Sequence, residues 1–194
     1  MRISSQPRTA LIELLGRLSG SIADSIERPN VNQEAFRVFY NRTSRPLRAY
    51  LLRMSGRVDV ADDLLQESYC RFLAASLREM DEGQSRSYLF KIATNLLRDR
   101  WRRREIPDNI DSTKQSCEDD RETRIDVRRA FDLLKPRERQ LLWLAHVEGF
   151  DHKEIARLTG VKVASVRVLL FRARRELANA LRERYENGKR SVES

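Results

Sequence analysis

The stretch DHKEIARLTGVKVASVRVLLFRARREL, Asp151 to Leu177, holds a short helical block, a glycine and a longer helical block, and its reading decides the fold class. Asp151 can cap the first block by accepting backbone N–H bonds, with Glu154 three residues on completing a capping box. Ile155, Ala156 and Leu158 give that block a buried side, and Gly160 stands where the chain reverses with a positive φ, so that Val161 can plug the angle between the helices. On the second block Val166, Leu169, Leu170, Ala173 and Leu177 recur at i, i+3, i+4, i+7 and i+11 and form a core stripe. Opposite lie Ala164, Val168, Phe171 and Arg175, flanked by Ser165, Arg167, Arg172 and Arg174. From Val161 to Arg175 there are five basic residues and no acidic one. A capped helix, a glycine turn and a second helix with this face predict a helix-turn-helix. Its arginines suit phosphates or guanine, and its small apolar groups suit thymine methyls in a major groove. The competing reading is a plain helical hairpin whose basic face is only solvated.

Composition agrees with a polyanion partner. The 194-residue chain carries 38 Lys and Arg against 29 Asp and Glu, a net charge of +9 and a pI near 10.0. Seven glycines, five prolines and long Leu, Ala, Arg and Glu stretches, with no alternating strand pattern, predict an all-α chain. Cys70 and Cys117 are too far apart for a CxxC pair or a disulfide framework, which points to a reducing compartment. No run approaches the roughly 20 apolar residues of a membrane span, and no signal peptide is expected. His146 and His152 are the only histidines and have no ligand partner at metal spacing. No nucleophile motif or glycine-rich phosphate loop occurs, so neither metal, cofactor nor catalysis is expected.

Working outward, residues 1–30 form an extension in which Leu11, Leu14, Leu15, Leu18 and Ile22 share one helical face. Residues 31–104 contain three helical blocks, Glu34 to Ser55, Asp59 to Leu77 and Ser87 to Arg104, separated at Gly56 and by the polar stretch 78–85. They predict a three-helix bundle. Residues 105–123, with an acidic centre, read as a flexible linker. Residues 124–186 supply four further blocks, Arg124 to Leu134, Pro136 to Val147, Asp151 to Thr159 and Ala164 to Arg184, and 187–194 read as a frayed tail. The fold expected is therefore two small helical domains joined by an acidic linker.

ADDLLQESYCRFL, Ala61 to Leu73, and RSYLFKIATNLLRDRWRRR, Arg86 to Arg104, taken with the helix-turn-helix, resemble bacterial sigma-70 family factors of the extracytoplasmic-function (ECF) group. The likeness covers about Glu34 to Leu181. It implies a promoter-melting region over 31–104 and a minus-35-reading region over 124–186. Asp63, Gln66 and Glu67, with neighbouring Asp62, match the acidic patch by which that family docks on core RNA polymerase. Asn95, Arg98, Asp99, Arg102 and Arg103 fall on the matching minus-ten helix, and the loop 78–85 on the loop that captures a flipped base. Tyr88 stands where the family usually has tryptophan, and Thr94 at a commonly basic position. Phe90, Leu97 and Trp101 make a second apolar stripe on that helix, read here as bundle core.

The recognition helix departs from the family's usual serine and arginine, having Val168 and Leu169. Lys162, Ser165, Arg167, Val168, Phe171, Arg172, Arg174 and Arg175 are accordingly the expected minus-35 contacts. The resemblance implies an initiation factor working in the cytoplasm at the nucleoid, with core RNA polymerase, promoter DNA and an anti-sigma factor as partners and no membrane insertion. A stand-alone helix-turn-helix regulator and a sigma-like protein acting only through an anti-sigma partner are the alternatives.

Overall fold

The computed structural model describes residues 33–75, 80–103 and 122–192, with side chains in the second half described over 127–183. The extension 1–30, linker residues 105–121, loop residues 76–79 and residues 193–194 lie outside these. Seven helices make up the described residues, with no strand among them: α1 Gln33–Ser55, α2 Val58–Ala74, α3 Glu82–Arg102, α4 Glu122–Leu133, α5 Pro136–His146, α6 His152–Thr159 and α7 Val163–Val192.

Local chemistry sets most boundaries. α6 is capped by Asp151, whose Oδ1 accepts from the Glu154 N–H at 2.7 Å while Glu154 Oε2 accepts from the Asp151 N–H at 3.0 Å, and Gly160 ends it at φ 70°. α5 starts at Pro136, with Glu138 accepting from the Lys135 N–H at 3.2 Å. α3 begins five residues before the expected Ser87, because Asp81 Oδ1 accepts from the Gln84 N–H at 2.7 Å. Apolar periodicity does not register such a polar cap. α7 runs to Val192, past the expected end at Arg184: residues 185–192 contain no proline, and one glycine costs a helix only about 1 kcal/mol.

α1, α2 and α3 form the first bundle. Leu47, Leu51, Leu64, Leu89 and Ala93 are buried between them, beside the stacked rings of Phe39 and Phe72, 5.0 Å apart. α5, α6 and α7 enclose the second core of Leu144, Ile155, Leu158, Val166, Leu170 and Ala173. α4 packs on α7.

The two halves are not separate. α3 packs along α6, and α1 touches α5, so one hydrophobic cluster runs through both halves. Arg86, Phe90, Thr94 and Arg98 lie at i, i+4, i+8 and i+12 on α3, a single ridge. Arg86 donates to the carboxylate of Glu148 at 2.7 Å and to its backbone carbonyl at 3.0 Å. The Phe90 ring meets Phe150 edge to face at 5.2 Å. Thr94 is 2.9 Å from the Tyr50 hydroxyl, which accepts from Gln140 Nε2 at 2.7 Å. The end of Arg98 lies beside Gly160, 3.1 Å from where a Cβ would stand. Of the apolar stripe read as bundle core, Phe90 and Leu97 are buried and Trp101 is half-buried against the same cluster, with Phe90 packed on the other half.

Candidate nucleic-acid and partner interfaces

The acidic residues of α2 divide by direction. Asp62 turns toward α1, where Arg48 holds it through two bonds of 2.6 and 3.1 Å. That bond also raises the Arg48 guanidinium above its ordinary value, the hydrogen bond outweighing burial. Asp63, Gln66 and Glu67 are exposed and line a groove of about 400 Å³ between α2 and α3, together with Cys70, Arg71, Arg100 and Arg103. Arg71 donates to Glu67 at 2.6 Å, and Arg100 lies 3.8 Å from Asp63. Leu64, next to Asp63, is 1% exposed and forms part of the groove's apolar floor with Leu96. One helix therefore anchors itself in the bundle and presents carboxylates outward. Partial burial beside Glu67 pushes the Cys70 thiol up, so it stays protonated.

On α3, Asn95, Arg98, Asp99 and Arg102 share a polar wedge of roughly 100°. Arg98 donates to Asn95 Oδ1 at 2.7 Å and Arg102 to Asp99 Oδ1 at 3.3 Å, so both pairs are held in register along the helix. Arg103 does not join them and instead lines the acidic groove. Thr94 lies beneath the wedge at 1% exposure, bonded to Tyr50. A long basic side chain at that position would have to bury its charge there, which accounts for the departure from the family pattern. Burial pushes the Tyr50 phenol up to about 12, with the hydrogen bonds to Thr94 and Gln140 opposing it. Of the loop 78–85, expected from the resemblance to capture a base, Met80 and Asp81 precede α3, whereas 82–85 are its first turn.

The recognition helix is as the periodicity predicted. Val166, Leu170 and Ala173 are fully buried and Leu169 and Leu177 pack partly against the same core, while Phe171 is 63% and Val168 50% exposed. Exposed Val163 and Ala164 extend this apolar strip, and Lys162, Arg167, Arg172 and Arg175 border it, all exposed. Ser165 is half-buried, its N–H donating to the Lys162 carbonyl at 2.9 Å. Arg174 turns sideways and donates to His146 Nε2 at 3.2 Å. An exposed phenylalanine among cations is costly in water. It fits a surface that meets base edges and backbone phosphates together.

Sequence reasoning missed the residues that join the halves. Arg53, in the last turn of α1, donates to the Arg128 carbonyl at 2.7 Å, lies over the Phe131 ring at 5.0 Å and sits 3.3 Å from buried Asp132. Burial lowers the Arg53 guanidinium below its ordinary value, Asp132 opposing this. Lone charges in two distant helices carry no sequence signal of pairing. Among the described residues no group of three or more His, Cys, Asp and Glu side chains could hold a metal ion, and no helix is long and apolar enough to cross a membrane.

Comparison with known proteins agrees with this geometry. Residues 39–105 match Sigma-70 region 2 and residues 124–177 match Sigma-70, region 4. The chain is 32% identical over 143 residues to the ECF RNA polymerase sigma factor EcfG of Rhodopseudomonas palustris, covering 70% of this chain and 78% of that protein. It is 32% identical over 143 residues to the ECF RNA polymerase sigma factor SigE of Mycolicibacterium smegmatis, but that match spans 66% of this chain and only 54% of the relative. Two solved structures share the fold. The sigma factor RpoE of Bartonella quintana, solved with the anti-sigma factor NepR, has TM-score 0.63 and 20% identity over 77% of this chain and 98% of that chain. CnrH, solved with the cytosolic domain of CnrY, has TM-score 0.60 and 22% identity over 81% and 94%. With both regions matched in order, an outward acidic helix in the first and an apolar-basic recognition helix in the second, the chain belongs to the sigma-70 family of RNA polymerase sigma factors, in its ECF group.

Proposed function

We propose that this protein binds core RNA polymerase through Asp63, Gln66 and Glu67, reads minus-35 duplex with α7 and recognises and melts the minus-ten region with α3. The coexistence on one chain of an outward carboxylate face at the α2–α3 groove and an exposed strip of Val168 and Phe171 among cations carries this reading. A stand-alone DNA binder has use for the second face and none for the first. Asp62, held by Arg48, shapes the docking helix from behind. On α3 the proposed minus-ten contacts are Asn95, Arg98, Asp99 and Arg102, with Arg103 at the groove edge. On α7 they are Lys162, Arg167, Val168, Phe171, Arg172 and Arg175, with Ser165 and Arg174 at the margins. The protein contributes binding energy and geometry, and the chemistry of transcription belongs to the polymerase, so its place of work is the cytoplasm at the nucleoid. An anti-sigma factor is the proposed regulator, since the two similar solved structures are complexes with such a factor or with the cytosolic domain of CnrY.

The test is reconstitution. Purified protein added to core polymerase on genomic templates should yield transcripts with discrete starts, and Asp63→Arg with Glu67→Arg should abolish them while leaving the helical circular-dichroism spectrum intact. Transcription retained by the double variant would sink the docking assignment.

A further inference from the structure

The seam between the two halves, where α3 packs on α6 and α1 on α5, leaves one surface of α7 uncovered. Its centre is the ridge Ala164, Val168 and Phe171 at i, i+4 and i+7, with Phe171 63% and Val168 50% exposed. At 1.5 Å of rise per residue the ridge is about 10 Å long, roughly three base-pair steps of B-DNA. Arg167 and Arg172 flank it, Arg175 continues it, and Arg174 is turned aside to His146.

This surface holds almost no hydrogen-bond acceptor. From Val161 to Arg175 there is no Asp, Glu, Asn or Gln, and the one side-chain hydroxyl, that of Ser165, belongs to a half-buried residue. Valine stands at 168, where the sigma-70 pattern usually has serine, and valine neither donates nor accepts. The ridge and its flanks therefore offer apolar groups and N–H donors alone. In the major groove adenine shows an amino donor at N6 and cytosine one at N4, whereas guanine shows acceptors at N7 and O6, and thymine an acceptor at O4 beside its C5-methyl group. An amino group pressed against Val168 or Phe171 would lose its water and gain no acceptor. Guanine finds donors only at the flanking arginines. Thymine alone brings an apolar group to the ridge, with its acceptor turned to a border of cations.

We infer that Val168 and Phe171 read the C5-methyl groups of two neighbouring thymines on one strand, leaving Arg167 and Arg172 for phosphates or guanine. The two residues are three apart, about 4.5 Å of helix rise, close to one base-pair step of ~3.4 Å. The inference deepens the function proposed above and rests on it for the duplex being the partner of α7.

The test removes the methyl and nothing else. The full chain, with and without core polymerase, is used to select binding sites from random-sequence duplexes, which should converge on sites with adjacent thymines on one strand. Deoxyuridine in place of one thymine keeps every hydrogen bond of the base pair. It should weaken binding about fourfold at each of two adjacent positions, the factor that burial of one methyl group provides, and leave affinity unchanged at the others. Val168→Ser should bind thymine and uracil equally at one of the two positions, and Phe171→Ala at its neighbour. Both side chains are exposed, so both variants should keep the native circular-dichroism spectrum. A selected site without adjacent thymines, one that takes uracil as well as thymine throughout, or a uracil penalty unchanged in both variants would overturn the methyl reading and leave duplex recognition standing. Enrichment of no sequence under either condition would overturn the minus-35 reading itself, and this inference with it.

Discussion

The Tyr50 hydroxyl shows how much one atom can hold. It takes a hydrogen bond from Gln140 and is paired with Thr94, all three being buried. Tyr50→Phe strands two buried polar groups, so thermal or urea unfolding should show a loss of about 1–3 kcal/mol. Thr94→Val, which strands only one hydroxyl partner, should cost less. Glycine matters at two turns. Gly149 and Gly160 have φ of 71° and 70°, and alanine at either should cost about 1–2 kcal/mol for the left-handed backbone alone. The new methyl meets nothing within 4 Å at Gly149 but lies 3.1 Å from Arg98 at Gly160. Gly160→Ala should therefore also displace Arg98, readable as altered oligo-dT binding that Gly149→Ala does not show. The positive φ at Gly160 was legible from its place between two helical blocks. The Tyr50–Gln140 bond was not, because ninety residues separate its ends.

At the scale of the helix, α6 and α7 respond to different perturbations. The Glu154 N–H holds the Asp151 carboxyl below the ordinary aspartate value of 3.8. A lowered folded value means the cap stabilises fully above the unfolded value and is lost as pH falls through the folded one. Melting temperature should thus drop below about pH 4 in the native chain and be flatter there in Asp151→Asn, whose cap does not titrate. Phe171 on α7 touches little of its own protein. Phe171→Ala should change folding stability by less than about 0.5 kcal/mol. It should nevertheless weaken specific duplex binding by about 1–3 kcal/mol, as loss of a base contact does. A stability loss as large as a core truncation would assign the ring to packing instead.

At the scale of the molecule, the two halves should unfold together. A shared cluster and the ion pairs across the seam couple them, so denaturant unfolding followed by Trp fluorescence and by circular dichroism should give coincident transitions. Arg86→Glu should split them. Salt acts on the other function: with several phosphates neutralised by the α7 cations, log affinity for duplex should fall against log salt with a slope near −0.9 per contact. A flat response would remove the basic face from the binding account.

Periodicity made the all-α class, the helix-turn-helix, its buried stripe and the outward Val168–Phe171 strip readable, because burial along a helix repeats every 3.6 residues and leaves its mark in the order of apolar side chains. The acidic face of α2 was readable for the same reason, one helix carrying both its anchor and its display. The seam was not. Phe90 looks the same in a chain whether it packs within its own bundle or on a second domain, and Arg53 and Asp132 are ordinary charges until folding sets them 3.3 Å apart. Local order determines which face of a helix is apolar; only the tertiary arrangement, where distant surfaces compete for the same contact, decides what covers it.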